Sequence, residues 1–147
     1  MVQTKKRSMS ELLAKLFNHI MDMESKAVIT EEFRDITNND MHIIEAIGVS
    51  EHRNMSAIAN NLSVTVSTLT TNMNGLEKKG YIVRERSLED KRMVYVILTE
   101  KGRKAFYHHR DFHKKMIKAI MKDLSEEEME ILYHCLSNLT GFLETSY

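Results

Sequence analysis

The stretch VTVSTLTTNMNGLEKKGYIVRERSLEDKR, residues 64–92, changes its period part-way through. Val66, Leu69, Met73 and Leu76 fall at i, i+3, i+7 and i+10, one apolar stripe of a helix that stops at Lys78-Lys79-Gly80. The rest of that helix is unusual. It carries Ser67, Thr68, Thr71, Asn74, Gly75 and Lys78, flanked by Thr70 and Asn72. Small hydroxyl and amide residues are mediocre helix formers that prefer caps and turns. After Gly80 the pattern becomes strand-like. Tyr81–Arg86 and Met93–Leu98 are rich in β-branched and aromatic residues and flank the polar-leaning Ser87–Arg92. The pair predicts a β-hairpin with a basic tip.

Working upstream, an Asn54 cap opens a short helix through Ile58 and Ala59 to Leu62, and Ser63-Val64 makes the turn into the next helix. Helix, short turn, helix and hairpin is the winged helix-turn-helix layout. It explains the hydroxyls. A recognition helix enters a groove about 12 Å wide, where short side chains allow close approach and both donate and accept hydrogen bonds. Gly75 costs roughly 1 kcal/mol relative to Ala in a helix but removes bulk. The bland alternative is a solvated face of indifferent residues, and the adjoining hairpin favours DNA. The predicted contacts are Thr65, Ser67, Thr68, Thr71, Asn72, Asn74 and Lys78 on the helix and Asp90, Lys91 and Arg92 at the tip. Asp90, two residues before Arg92, can brace that Arg by a charge-assisted bond and aim it at a minor groove. The alternative is a surface ion pair worth ~0–1 kcal/mol.

The flanking sequence is helical. Ser8-Met9-Ser10-Glu11 reads as a capping box ahead of Leu12, Leu13, Leu16, Phe17, Ile20 and Met21. A second helix runs from Thr37, with Asp40 in its first turn, to Gly48. Thr99 caps a fifth, reaching about Asp123, and Ser125-Glu126-Glu127-Glu128 opens a sixth with Met129, Leu132, Leu136, Leu139 and Leu143 on one stripe. The expected fold is mainly α with a small β-hairpin, a single domain over 1–147. It comprises a winged-helix lobe at 37–98 and dimerisation helices at 8–30 and 100–145. The first and last helices carry more apolar surface than one small domain hides, so pairing with a second copy is expected.

Composition narrows the class. The 147 residues are 42% hydrophobic and 29% charged, with no Pro and five Gly, a helix-prone globular balance. No apolar run approaches the ~20 residues of a membrane span, and no signal-peptide core is evident, so no membrane partner is expected. One cysteine, Cys135, cannot pair internally, which fits a reducing cytoplasm. It sits in an apolar helical stretch and reads as core rather than nucleophile. Net charge is +0, yet Lys78–Arg92 holds six basic and three acidic residues, while Asp123–Glu130 holds five acids and no base. A local basic surface suffices for phosphates.

The enzyme reading is weak: the chain has no HExxH, no nucleophile elbow and no Gly-rich phosphate loop. A zinc hydrolase built on His109 and His113 is its only form. A protein-only helical adaptor would leave Ser67, Thr68 and Arg92 unexplained. His109 and His113 stand at i, i+4 and share a helix face, a spacing that can grip one metal ion, with Glu24 and His42 as further candidates. A polar hydrogen-bonded cluster is the alternative, with His108 merely exposed.

Ile58-Ala59, Leu62, Val64, Ser67-Thr68-Leu69-Thr70 and Leu76-Glu77-Lys78-Lys79-Gly80-Tyr81-Ile82 together resemble the multiple-antibiotic-resistance regulator (MarR) family. Asp90-Lys91-Arg92 and Leu98-Thr99-Glu100-Lys101-Gly102 carry the same likeness. The resemblance implies a homodimeric winged-helix repressor that binds a palindromic duplex with one recognition helix per half-site. Many members have Arg or Lys at the positions of Val66 and Thr71, and uncharged residues there imply a different specificity. Residues 64–92, with MHIIEAIG and FHKKM, look most like repressors of bacterial fatty-acid synthesis, in which acyl chains on acyl carrier protein act as co-repressor. Eleven Met could line an apolar crevice for such a chain, although Met more often fills cores. Glu24, His42, His109 and His113 also match, position by position, the zinc-responsive branch of the family. The second metal site of that branch is broken by Thr30 and Met41.

Overall fold

Local capping chemistry sets most element boundaries in the structure, a computed structural model that describes residues 2–146, with side chains from residue 8 onward. The order is α1 (Val2–Val28), α2 (Asn38–Ile47), β1 (Arg53–Asn54), α3 (Met55–Asn61), α4 (Val66–Lys78), β2 (Ile82–Arg86), β3 (Val94–Leu98), α5 (Glu100–Met121) and α6 (Glu126–Ser146). At α2 the Thr37 hydroxyl accepts from the Asp40 amide, and the Asp40 carboxylate accepts from the Thr37 amide. Asn54 caps α3 through the Ala57 amide. Ser125 and Glu128 close the same reciprocal box at α6.

Two boundaries depart from expectation. α1 does not start at the Ser8 capping box but already at Val2. Residues 2–7 contain no Gly or Pro and include Gln, Lys and Arg, which propagate a helix readily, so Ser8 and Glu11 fall in its interior. The predicted hairpin is part of a three-stranded antiparallel sheet in the order β1-β3-β2. Arg53 pairs with Val96 and Asn54 with Tyr95. A strand two residues long has no period to detect.

The chain divides into two compact units, the first ending at Arg110 and the second starting at Asp111. In the first, Ile44, Ile58, Leu69, Met73, Leu76, Tyr81 and Val96 are completely buried, drawing α2, α3, α4 and the sheet onto one core. Each such apolar side chain contributes roughly 1.5–3 kcal/mol relative to exposure. On α1, Leu12, Leu13, Leu16 and Phe17 are exposed. In the second unit α6 has no buried residue, and Tyr133, Leu136, Leu139, Phe142 and Leu143 are exposed. Cys135 is exposed too, contrary to the expectation of a core thiol, because α6 buries no side chain within one chain. Among the described residues no helix is long and apolar enough to cross a membrane.

The passage from α4 into the sheet is fixed by backbone geometry. Gly80 turns the chain at φ 86°, a left-handed conformation that favours glycine. The next amide, of Tyr81, donates to the Leu76 carbonyl at 3.0 Å. The far end of the hairpin returns to the same point. The Thr99 amide donates to the Tyr81 carbonyl at 3.0 Å, and the Thr99 hydroxyl donates to the Gly80 carbonyl at 2.6 Å. The same hydroxyl oxygen accepts from the Gly102 amide and so caps α5. A Cβ on Gly102 would stand 2.1 Å from the Tyr81 carbonyl oxygen. The Leu-Thr-x-x-Gly sequence is therefore a docking surface for one carbonyl.

The Tyr81 side chain extends the lock. Its hydroxyl donates to Asp35 Oδ1 at 2.7 Å, and Lys101 Nζ lies 4.3 Å from the ring centroid. The hydrogen bond from Tyr81, aided by Lys101, holds the Asp35 carboxyl below its ordinary pKa. Burial, then the Asp35 carboxylate, pushes the Tyr81 hydroxyl upward.

Gly102→Ala should destabilise the fold at or above the upper end of the ~1–3 kcal/mol typical of overpacking, since the clashing partner is backbone. Urea unfolding followed by circular dichroism measures the loss.

Candidate nucleic-acid interface

α3 and α4 are joined by a turn whose pivot is Ser63, at φ 54° the only non-glycine residue with positive φ among those described. The Val64 amide returns to the Ala59 carbonyl at 3.0 Å, which closes α3 against the start of α4. Thr65 then caps α4. Its hydroxyl oxygen accepts from the Thr68 amide at 3.1 Å and its proton goes to Thr68 Oγ1 at 2.9 Å. Thr70 donates back to the Val66 carbonyl at 2.8 Å. The helix thus satisfies three of its own hydroxyls. Ser67, Thr71 and Asn72 make no side-chain hydrogen bond among the described residues; Ser67 and Thr71 are exposed and Asn72 is half-buried.

Leu69, Met73 and Leu76 form the buried stripe as expected, but Val66 does not join them and is 44% exposed. It is the first residue of α4, so its side chain falls in the open first turn rather than over the core. There it lines a cleft of about 440 Å³ with Thr70 from α4, Asn54 and Ser56 at the start of α3, and Asp90 and Arg92 from the hairpin. The start of the second helix and the tip of the wing therefore open onto one space.

Arg84 of β2 fixes that relation. Its Nε lies 2.5 Å from Glu77 Oε2 and its Nη2 donates to Asn74 Oδ1 at 2.7 Å, both on α4. The strut was not among the residues picked from sequence, although Glu77 and Arg84 flank the Gly80 turn with opposite charge. It commits the Asn74 carbonyl to the protein itself. At the tip, Asp90 braces Arg92 differently from expectation. Asp90 Oδ1 accepts from the Arg92 backbone amide at 3.0 Å, and no Asp90 contact to the guanidinium is present among the described residues. Asp90 shapes the turn; Lys91 and Arg92 are exposed, as are Thr68 and Lys78 on α4.

The predicted metal ligands separate. Glu24 and His109 are both buried and offer ligand atoms within 4.8 Å of each other. His113 follows one helical turn after His109 along α5. His42 is exposed and stands outside that group among the described residues, lining a second cleft of about 560 Å³ with Asn39, Glu45, Arg53 and Asn72. Unanticipated from sequence, Glu45 Oε2 sits 3.7 Å from His109 Nε2. His108 is exposed but not idle: its Nε2 bonds the Ala27 carbonyl at 2.8 Å and its ring lies tilted against Phe33, 5.7 Å between centroids.

A family profile described as "Winged helix DNA-binding domain" matches residues 40–121, which span α2 through α5. The HTH-type transcriptional regulator PchR of Bacillus subtilis (strain 168) is 32% identical over 124 residues, 81% of this chain and 73% of that protein. The crystal structure of Streptococcus pneumoniae FabT in complex with DNA superposes with a TM-score of 0.88 at 38% identity, over 96% of this chain and 99% of that one. The chain belongs to the MarR family. A DNA complex of S. aureus MepR gives a TM-score of 0.68 at 26% identity, over 91% of this chain and 97% of that one. This MarR-type protein is a DNA-binding transcriptional regulator and not an enzyme.

Gly75 tests the reason for small residues on α4. A Cβ there meets nothing within 4 Å. Gly75→Ala should stabilise the helix by about 0.5–1 kcal/mol while weakening DNA binding. Urea unfolding and fluorescence anisotropy on one preparation separate the two effects; a more stable variant with unchanged affinity would show that bulk at Gly75 is irrelevant to DNA.

Proposed function

We propose that the protein is a homodimeric repressor of fatty-acid-synthesis genes, binding a palindromic duplex with a long acyl chain on acyl carrier protein as co-repressor. The observation that carries this reading is the likeness to DNA-bound FabT across almost the whole of both chains. Two features of this molecule support it. The first turn of α4 and Arg92 share one cleft, so helix and wing can address adjoining grooves of one duplex. Exposed leucines and aromatics on α1 and, separately, on α6 supply apolar surface of the kind a second copy covers. Two recognition helices must match successive major grooves roughly 34 Å apart. An effector that favours that spacing raises the population able to bind.

Titration of the protein onto its own upstream DNA, followed by gel retardation, tests the proposal. Binding should tighten when palmitoyl-acyl carrier protein is added. Arg92→Ala should weaken it and lower the salt slope by about one. No retardation at low salt, with or without the carrier protein, would overturn the repressor reading.

A second reading rests on a different observation, the buried pair of Glu24 and His109. A carboxylate and an imidazole are suitable zinc donors. Glu24 and His109 would hold the ion, and His42 would have no part in it. Dialysed protein would then retain about one zinc per chain, lost in both Glu24→Gln and His109→Ala. Zinc-dependent DNA affinity without a response to acyl carrier protein would replace the first reading.

A further inference from the structure

Leu88 is 100% exposed, and no other large apolar side chain among the described residues matches it; Tyr133 follows at 76%. It is held there by an ordered turn. Ser87 Oγ accepts from the Glu89 amide at 3.3 Å and the Asp90 amide at 3.2 Å. The Ser87 amide donates to the Met93 carbonyl and the Met93 amide to the Asp90 carbonyl, both at 2.9 Å. With Asp90 also accepting from the Arg92 amide, the backbone on each side of Leu88 is tied. The result is a stiff tip that points a branched apolar side chain away from its own chain, beside exposed Lys91 and Arg92.

A turn of polar residues would be more soluble, and Leu88, fully exposed, adds nothing to the core of the described residues. The neighbours indicate where it goes. Arg92 borders the cleft onto which the first turn of α4 opens, so when α4 occupies a major groove the tip reaches the duplex surface next to it. Apolar side chains inserted between base steps from the minor groove partly unstack them, usually alongside Arg or Lys. Pyrimidine–purine steps yield most easily.

We propose that Leu88 is an apolar wedge that enters the minor groove next to Arg92 and partly unstacks one base step on the outer side of each half-site. The proposal rests on the DNA-binding reading and adds to it a specificity element at positions that no hydrogen bond reads. Such a wedge selects a deformable step, and a residue that only touched the sugar edge would not.

The test uses full-length protein and duplexes it selects from a randomised pool. Adenines outside the major-groove half-sites are replaced, one at a time, by 2-aminopurine, and anisotropy of an end label reports binding in the same cuvette. Wild-type protein at saturation should brighten 2-aminopurine severalfold at one step per half-site. The selected pool should be enriched in TA or CA at that step. Leu88→Ala should saturate the duplex with affinity within roughly tenfold, about 1.4 kcal/mol, and give no brightening. Leu88→Met should restore it. The side chain is fully exposed, so the fold is not at risk in these variants. Full anisotropy with no brightening at any step by wild type, or equal brightening by Leu88→Ala, would overturn the wedge. Absent anisotropy would overturn the DNA-binding reading itself.

Discussion

The Tyr81 carbonyl is the point through which the working surface is assembled. It accepts the Thr99 amide, it faces the glycine surface of Gly102, and its own residue leaves α4 through the left-handed Gly80. The amide and carbonyl of this one residue thereby tie the end of α4, the return of the sheet and the start of α5. The buried ring behind it, bonded to Asp35 and covered by Lys101, stops that junction from rotating. A winged helix needs such a point because its helix and wing are read together by one ligand, and an ångström of slack between them is lost affinity.

Arg84 performs the same service from the other side. It joins Glu77 and Asn74 on α4 to β2, so its charge is neutralised within the protein and is not spent on phosphates. The neutral whole-chain charge therefore conceals a division of labour. Arg84 sets geometry, while Lys78, Lys91 and Arg92 remain exposed for an anionic partner.

What could be read from sequence was what local rules decide. Thr37 with Asp40, Asn54, Thr99 and Ser125 with Glu128 each act over a few residues, and each cap stands where its spacing placed it. The same rule fails at Ser8, because α1 is already running there and the Ser8–Glu11 spacing does not mark its start. Non-local features were hidden. β1 exists only through pairing with Val96 and Tyr95. The Arg84 strut and the Glu45 approach to His109 depend on where elements meet, which periodicity does not specify. Val66 departs from the buried stripe because a stripe counted by period ignores where the helix begins. The spacing of Asp90 and Arg92 predicts a bond to the guanidinium, but the Arg92 backbone amide lies nearer the short Asp90 side chain and takes it instead.

The mutual hydrogen bond between Thr65 and Thr68 has a thermodynamic side. Because the two hydroxyls already hold each other at 2.9 Å, both rotors are ordered before any partner arrives. The loss of torsional freedom falls on folding rather than on association, and fewer water contacts have to be stripped when that turn meets a polar surface. A helix of longer, freer polar side chains would be a better helix and would have to freeze each of them at the moment of contact.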